Sequence, residues 1–124
     1  MTRMMLLAVV LAVALVAAFV FLRSAGGPDA TAAFLGREPD ALVVDVRTPA
    51  EFASGHIAGA RNVDVSGDFR GQMAAVDRET PVYLYCRAGR RSASAAQTLR
   101  EMGFTSVVNA GGFSDLAAAG AATE

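Results

Sequence analysis

Cys86 is the only cysteine in the 124-residue chain, and it heads the run Cys86-Arg87-Ala88-Gly89-Arg90-Arg91-Ser92. One thiol forms no internal disulfide, and one cysteine with one histidine, His56, leaves no four-ligand zinc site of the cysteine type. What remains is a single thiol, either reactive or buried and inert. Its neighbours favour reactivity, because Gly89 and three arginines are poor company for a core cysteine. A helix N-terminus close to such a thiol offers unpaired N–H groups and the positive end of a dipole. Thiols in these settings have pKa values lowered to about 3.5–7.5, against about 8.5 for free cysteine, and attack as thiolates at neutral pH.

The elements flanking this run are those expected to place it so. Residues 82–85, introduced by Pro81, form a short apolar run of the kind found in a buried strand, and residues 92–102 carry a helical pattern with Ser92 as cap and Gly103 as stop. Cys86 then falls at the carboxyl end of a strand, the edge where open α/β sheets bind ligands. Upstream, residues 42–46 read as a parallel strand buried on both faces. Thr48-Pro49-Ala50-Glu51 combines a threonine cap, proline at the first helical position and glutamate at the third, a capping box whose helix Gly55 closes. Asp29 is expected to cap a helix over residues 29–35 that ends at Gly36. Residues 60–65 and 104–108 read as further strands and 68–76 as a helix. The alternation indicates an α/β domain on a mostly parallel sheet.

The hydrophobic fraction of 53% averages two regimes. Nineteen consecutive apolar residues, 4–22, lie between Arg3 and Arg23 and at helical rise nearly match the roughly 30 Å hydrocarbon core of a bilayer. Residues 1–23 are therefore expected to be a signal-anchor or a signal peptide, with 24–28 a linker and 29–124 the domain. Length favours a retained anchor, while Ser24-Ala25-Gly26-Gly27 offers small residues for cleavage. The amino terminus and Arg3 outweigh Arg23, so the positive-inside bias puts the domain outside the cytoplasm. Residues 28–124 hold nine arginines against twelve carboxylates, a net charge of −3 that argues against a nucleic-acid partner.

The chain resembles the rhodanese family. Cys86-Arg87-Ala88-Gly89-Arg90-Arg91-Ser92 is similar to its Cys-x-x-Gly-x-Arg-Ser/Thr active loop. Asp45-Val46-Arg47, Glu51-Phe52 and the run from Gly55 to Ala60 resemble its upstream signature, and Asn109-Ala110-Gly111-Gly112-Phe113 its closing motif. A short single domain behind a secretion segment is most similar to the phage shock protein E type of periplasmic rhodanese. The resemblance implies a three-layer α/β/α domain that is a sulfurtransferase with no cofactor beyond a cysteine persulfide. Cys86 would take the outer sulfur of thiosulfate or a similar donor and pass it to cyanide or to a thiol, including one on a thioredoxin-like protein. Backbone N–H groups of residues 87–92 would cradle the charge, Arg91 matches the family arginine, and Arg87 and Arg90 fall at variable positions.

The same resemblance implies a location on the inner membrane facing the periplasm, or in the periplasm after cleavage. Related phosphatases and arsenate reductases carry a loop one residue longer, and the loop here holds no general acid to protonate a leaving alcohol. A tethered module that binds a partner without turnover is a further alternative, whose usual mark in the family is loss of the cysteine. Asp45 and Arg47 are expected to support the loop or to pair with each other. His56 is expected to be structural, Glu51 a helix cap, and Gly111 and Gly112 a turn near the loop. Leu116 replaces a tryptophan frequent in the family, which bears on pocket shape.

Overall fold

The computed structural model describes residues 28–124 and, singly, Ala12. The expected anchor or signal segment therefore lies, apart from Ala12, outside the described residues; among the described residues no helix is long and apolar enough to cross a membrane. In chain order the elements are α1 (Pro28–Leu35), β1 (Leu42–Asp45), α2 (Pro49–Ala53), β2 (Arg61–Asn62), α3 (Phe69–Met73), β3 (Val82–Cys86), α4 (Arg90–Glu101), β4 (Val107–Gly112) and α5 (Phe113–Ala118).

The strands form one sheet in the order β2-β1-β3-β4, and every neighbouring pair is parallel. Parallel neighbours require crossover connections, which α2, α3 and α4 occupy in turn. From β1 the chain moves outward to β2, then returns to the other side of β1 to make β3. The loops leaving β1 and β3 thus diverge, which opens a crevice at the carboxyl ends of these two central strands.

Side chains alternate along β3, and the sheet accordingly has two cores. Val82, Leu84 and Cys86 face Phe69 and Met73 of α3 and Ala95, Ala96 and Leu99 of α4. Tyr83 and Tyr85 face the other way, against Phe34 of α1 and Leu116 of α5. All five β3 residues are buried, which explains why this strand reads as one continuous apolar run. Burying Leu99 alone removes enough apolar surface to contribute about 1.5–3 kcal/mol. The helices on both faces make the expected three layers.

Several boundaries differ from expectation, among them the helix expected over 68–76, which spans Phe69–Met73 with Asp68 as its cap. Asp29 lies in the first turn of α1 rather than at its cap. Only Arg61 and Asn62 pair as β2, although Val63 N–H still bonds to the Asp45 carbonyl at 2.9 Å and Val65 N–H to that of Val46 at 3.2 Å. Phe104 closes α4, its N–H bonding to the Leu99 carbonyl, so the last strand starts later and runs through Gly111 and Gly112 rather than turning there. Finally, α4 begins at Arg90 with Gly89 as its cap, and Ser92 is its third residue, not its cap.

Candidate active site

Cys86 ends β3, and after only three intervening residues the chain enters α4 at Arg90. So abrupt a passage needs a left-handed residue, and Gly89 supplies it with φ 93°. The turn aims its own N–H at the sulfur: Gly89 N lies 3.0 Å from Cys86 Sγ. Ser92, fully buried in the first turn of the twelve-residue α4, places its hydroxyl 3.3 Å from the same sulfur. The thiol is only 1% exposed. Burial alone pushes it up, but the Ser92 hydroxyl and the N–H groups of Ser92, Ala88 and Gly89 outweigh that and hold its pKa below the ordinary value. A buried cysteine ringed by donors is suited to carry negative charge, which an inert core cysteine is not.

The floor beneath the loop is β4. Its register against β3 slips by one residue: Leu84 pairs with Asn109, Tyr85 with Gly111 and Cys86 with Gly112, leaving Ala110 as the extra residue of a bulge. Gly111 carries φ 98°, and Gly112 lies so close to the loop that a Cβ there would sit 2.7 Å from the Arg87 carbonyl oxygen. Asn109, also buried, reaches Ser92, Gly111 and Gly89 from this floor. Its Oδ1 accepts from Ser92 Oγ at 2.7 Å and from Gly111 N at 3.1 Å, and its Nδ2 donates to the Gly89 carbonyl at 3.1 Å. Gly112 lies beside the loop as expected from sequence, though in a strand and not a turn, while Asn109 was expected only as part of the closing motif, with no contact to the loop assigned to it. The signal available was an amide followed by two glycines at the end of an apolar strand.

Arg91 crosses the crevice. Its Nη1 and Nη2 lie 2.7 and 3.0 Å from Glu51 Oε1 and Oε2, a two-pronged pair joining the first turn of α4 to the helix after β1. Glu51 also completes the expected capping box with Thr48, so it is both cap and anchor for Arg91. The Arg91 hydrogen bond, with those from Thr48, overcomes partial burial and lowers the Glu51 carboxyl to about 2. Arg87 and Arg90 stand exposed at the mouth and have no ion pair among the described residues.

Asp45 and Arg47 pair with each other, Arg47 Nη2 to Asp45 Oδ2 at 2.7 Å, both buried. Arg47 also donates to the Gly55 carbonyl at 2.6 Å and lies over the Phe113 ring, 4.6 Å from its centroid. The pair therefore braces the α2 turn and the aromatic wall beside Tyr85, and meets the loop through β3. Tyr85, kept well above its usual pKa by burial and by the nearby Asp45 carboxylate, accepts from Ile57 N–H at 3.0 Å. His56 stacks on Phe52 at 3.7 Å and bonds to the Phe52 carbonyl through Nδ1 at 2.9 Å, a structural placement away from the sulfur. Leu116 is fully buried in the second core. Among the described residues no group of His, Cys, Asp and Glu side chains could hold a metal ion.

Comparison with known proteins agrees with this architecture. The Rhodanese-like domain family matches residues 28–119, most of the chain. The chain is 47% identical over 74 residues to the uncharacterized protein YqhL of Bacillus subtilis (strain 168), covering 59% of this chain and 58% of that protein. It is 41% identical over 75 residues to thiosulfate sulfurtransferase PspE of Escherichia coli (strain K12), covering 60% of this chain and 72% of PspE. Among solved structures, a rhodanese with anions from E. coli superposes with a TM-score of 0.58 at 36% identity, over 67% of this chain and 95% of that one. With its cysteine loop between a buried parallel strand and a helix N-terminus, and a family match covering more than half its length, the chain belongs to the rhodanese family.

Proposed function

We propose that this protein moves a sulfane sulfur from thiosulfate, or a donor of like chemistry, to a thiol or cyanide through a persulfide on Cys86. The observation that carries this reading is the sulfur itself: Sγ receives the Gly89 N–H at 3.0 Å and the Ser92 hydroxyl at 3.3 Å in front of a helix N-terminus. As a thiolate, Sγ attacks the outer sulfur of thiosulfate. The new S–S bond forms as the donor's own S–S bond breaks, and sulfite leaves with the electron pair. An acceptor thiolate, small or carried on a thioredoxin-like protein, then attacks the terminal sulfur and returns Cys86 to thiolate. The loop N–H groups stabilise the anion at each stage, and no metal or organic cofactor takes part. Names of relatives such as PspE support the donor class.

The second half of the proposal is location: residues 1–23 hold the domain at the inner membrane facing the periplasm, or direct it there before cleavage. The apolar run and its flanking charges support this.

The test of the chemistry is direct. The full-length protein, incubated with thiosulfate and measured by intact mass, gains one sulfur, and Cys86→Ser gains none. No adduct with thiosulfate or any other sulfane donor overturns the reading in favour of a binding module. Fractionation with N-terminal sequencing tests the location: a membrane fraction with an intact N-terminus identifies an anchor, a soluble periplasmic form starting near Gly26 identifies a cleaved signal, and a cytoplasmic protein refutes both.

A further inference from the structure

We propose that Asn109 is a positioning residue that competes with Cys86 for the single proton of the Ser92 hydroxyl, so that the donor serves the sulfur only when the sulfur is anionic. Ser92 Oγ lies between two acceptors, Asn109 Oδ1 at 2.7 Å and Cys86 Sγ at 3.3 Å. A hydroxyl has one proton and serves one of them at a time. Against a neutral thiol the amide oxygen wins, being both nearer and the better acceptor. Against a thiolate the balance reverses, because a hydrogen bond to a charged acceptor is roughly twice as strong as one between neutral groups.

The amide cannot simply flip out of this role. Its Nδ2 faces the Gly89 carbonyl and its Oδ1 faces the Gly111 N–H, and exchange of the two would set donor against donor and oxygen against oxygen. The regular register of β4 against β3 seats Asn109 opposite Leu84, two residues before the sulfur in the neighbouring strand, and the bulge that follows at Ala110 then brings Gly112 opposite Cys86. Removing the amide does not orphan the loop carbonyl, because Gly89 O also accepts from Ala93 N–H at 3.1 Å in the first turn of α4. The Gly89 carbonyl therefore keeps a donor in the active loop while the competition disappears.

The chemical consequence rests on the sulfurtransferase reading. A thiolate stabilised without limit is a weaker nucleophile, since nucleophilicity falls with pKa. A donor shared with Asn109 leaves the resting sulfur less stabilised and so more reactive, yet remains available for charge that returns there when an acceptor removes the terminal sulfur. The charged groups around the site, Arg91 with Glu51 and the exposed Arg87 and Arg90, are untouched in this comparison.

The alkylation rate of the full-length protein by iodoacetamide, followed against pH, reports Cys86 alone because it is the only thiol. Ser92→Ala should raise the apparent pKa by about 1, the loss of one charge-assisted hydrogen bond. Asn109→Leu should lower it by about 0.5, since the hydroxyl is then free to turn to the sulfur. The double variant should match Ser92→Ala alone, the mark of a residue acting through another. A purely structural Asn109 predicts the opposite: a raised pKa, or an equal change with the Ser92 hydroxyl absent, and either result overturns the proposal. Asn109→Ala, which adds no volume, is read in the same way should the leucine variant not fold. Alkylation uses no sulfur donor, so this pattern in a protein that takes no sulfur from thiosulfate refutes the sulfurtransferase reading and leaves the positioning role standing.

Discussion

Replacing Gly112 by alanine adds one methyl group at the closest approach between the sheet and the active loop. The backbone there, φ −101° and ψ 144°, suits any residue, so conformation raises no objection. Space does. The added Cβ would lie 2.7 Å from the Arg87 carbonyl oxygen and 3.4 Å from both the Arg87 carbonyl carbon and the Ala88 Cα. Reaching an ordinary contact requires the Arg87–Ala88 peptide to retreat by about 0.7 Å. That peptide leads directly into Gly89, whose N–H lies 3.0 Å from the sulfur, so the same displacement stretches the donor out of range. Overpacking of this kind costs about 1–3 kcal/mol. Losing a glycine from the unfolded chain offsets about 0.4–1 of that, for a net loss of about 1–2 kcal/mol. Catalysis should suffer more than stability, because misplacement of this order costs about 100-fold in rate. Stopped-flow sulfur loading from thiosulfate should therefore slow by about that factor, alongside a fall in Tm of roughly 4–12 °C. Loading at the native rate, with an unchanged pH profile of alkylation, would refute the claim that Gly112 sets the loop.

Three further variants probe other parts of the frame. Glu51 has its folded pKa lowered to about 2 from an ordinary 4.5, so its pairing adds stability above the higher value that is lost as pH falls through the lower one. Glu51→Gln should flatten the stability curve between about pH 5 and pH 2 and lower stability at pH 7 by about 1 kcal/mol, discounted for the partial exposure of the pair, as urea unfolding at both ends of that window would show. Arg87→Gln with Arg90→Gln should slow second-order loading from the thiosulfate dianion by about 10-fold at low ionic strength, and the deficit should shrink at 0.5 M salt. An unchanged salt slope would rule out steering. Tyr85→Phe strips the buried Ile57 N–H of its acceptor and should cost about 1–3 kcal/mol by thermal unfolding, with loading intact in the folded protein.

Features determined by neighbouring residues were legible in the sequence. The Thr48–Glu51 capping box forms as written because its hydrogen bonds close within three residues. The strand that ends at the cysteine is legible because burial on both faces demands one apolar run. Features that need two distant segments were not. Arg91 and Glu51 are forty residues apart, and only the pairing of β1 beside β3 sets the helices that follow those strands close enough for them to meet. Asn109 reads as an ordinary strand end until the pairing of β4 with β3 is known to bring it against Ser92. Ser92 itself looks like a cap, the usual role for serine before an alanine-rich helix. Gly89, in its left-handed conformation, takes that place instead and sends the serine inward to the sulfur.

The extra residue in β4 also decides which kinds of change the chain can absorb. Side chains alternate between the faces of a strand, so one uncounted residue at Ala110 exchanges the faces for everything after it. Upstream of it an amide is turned toward the thiol; downstream a glycine with no side chain lies against Arg87. Deleting Ala110 would restore the regular count and break that arrangement, although the lost residue touches neither the sulfur nor its donors. At position 110 the site is therefore sensitive to number: the residue there gives only a methyl group to the core around Tyr85, yet its removal is the loss of the site.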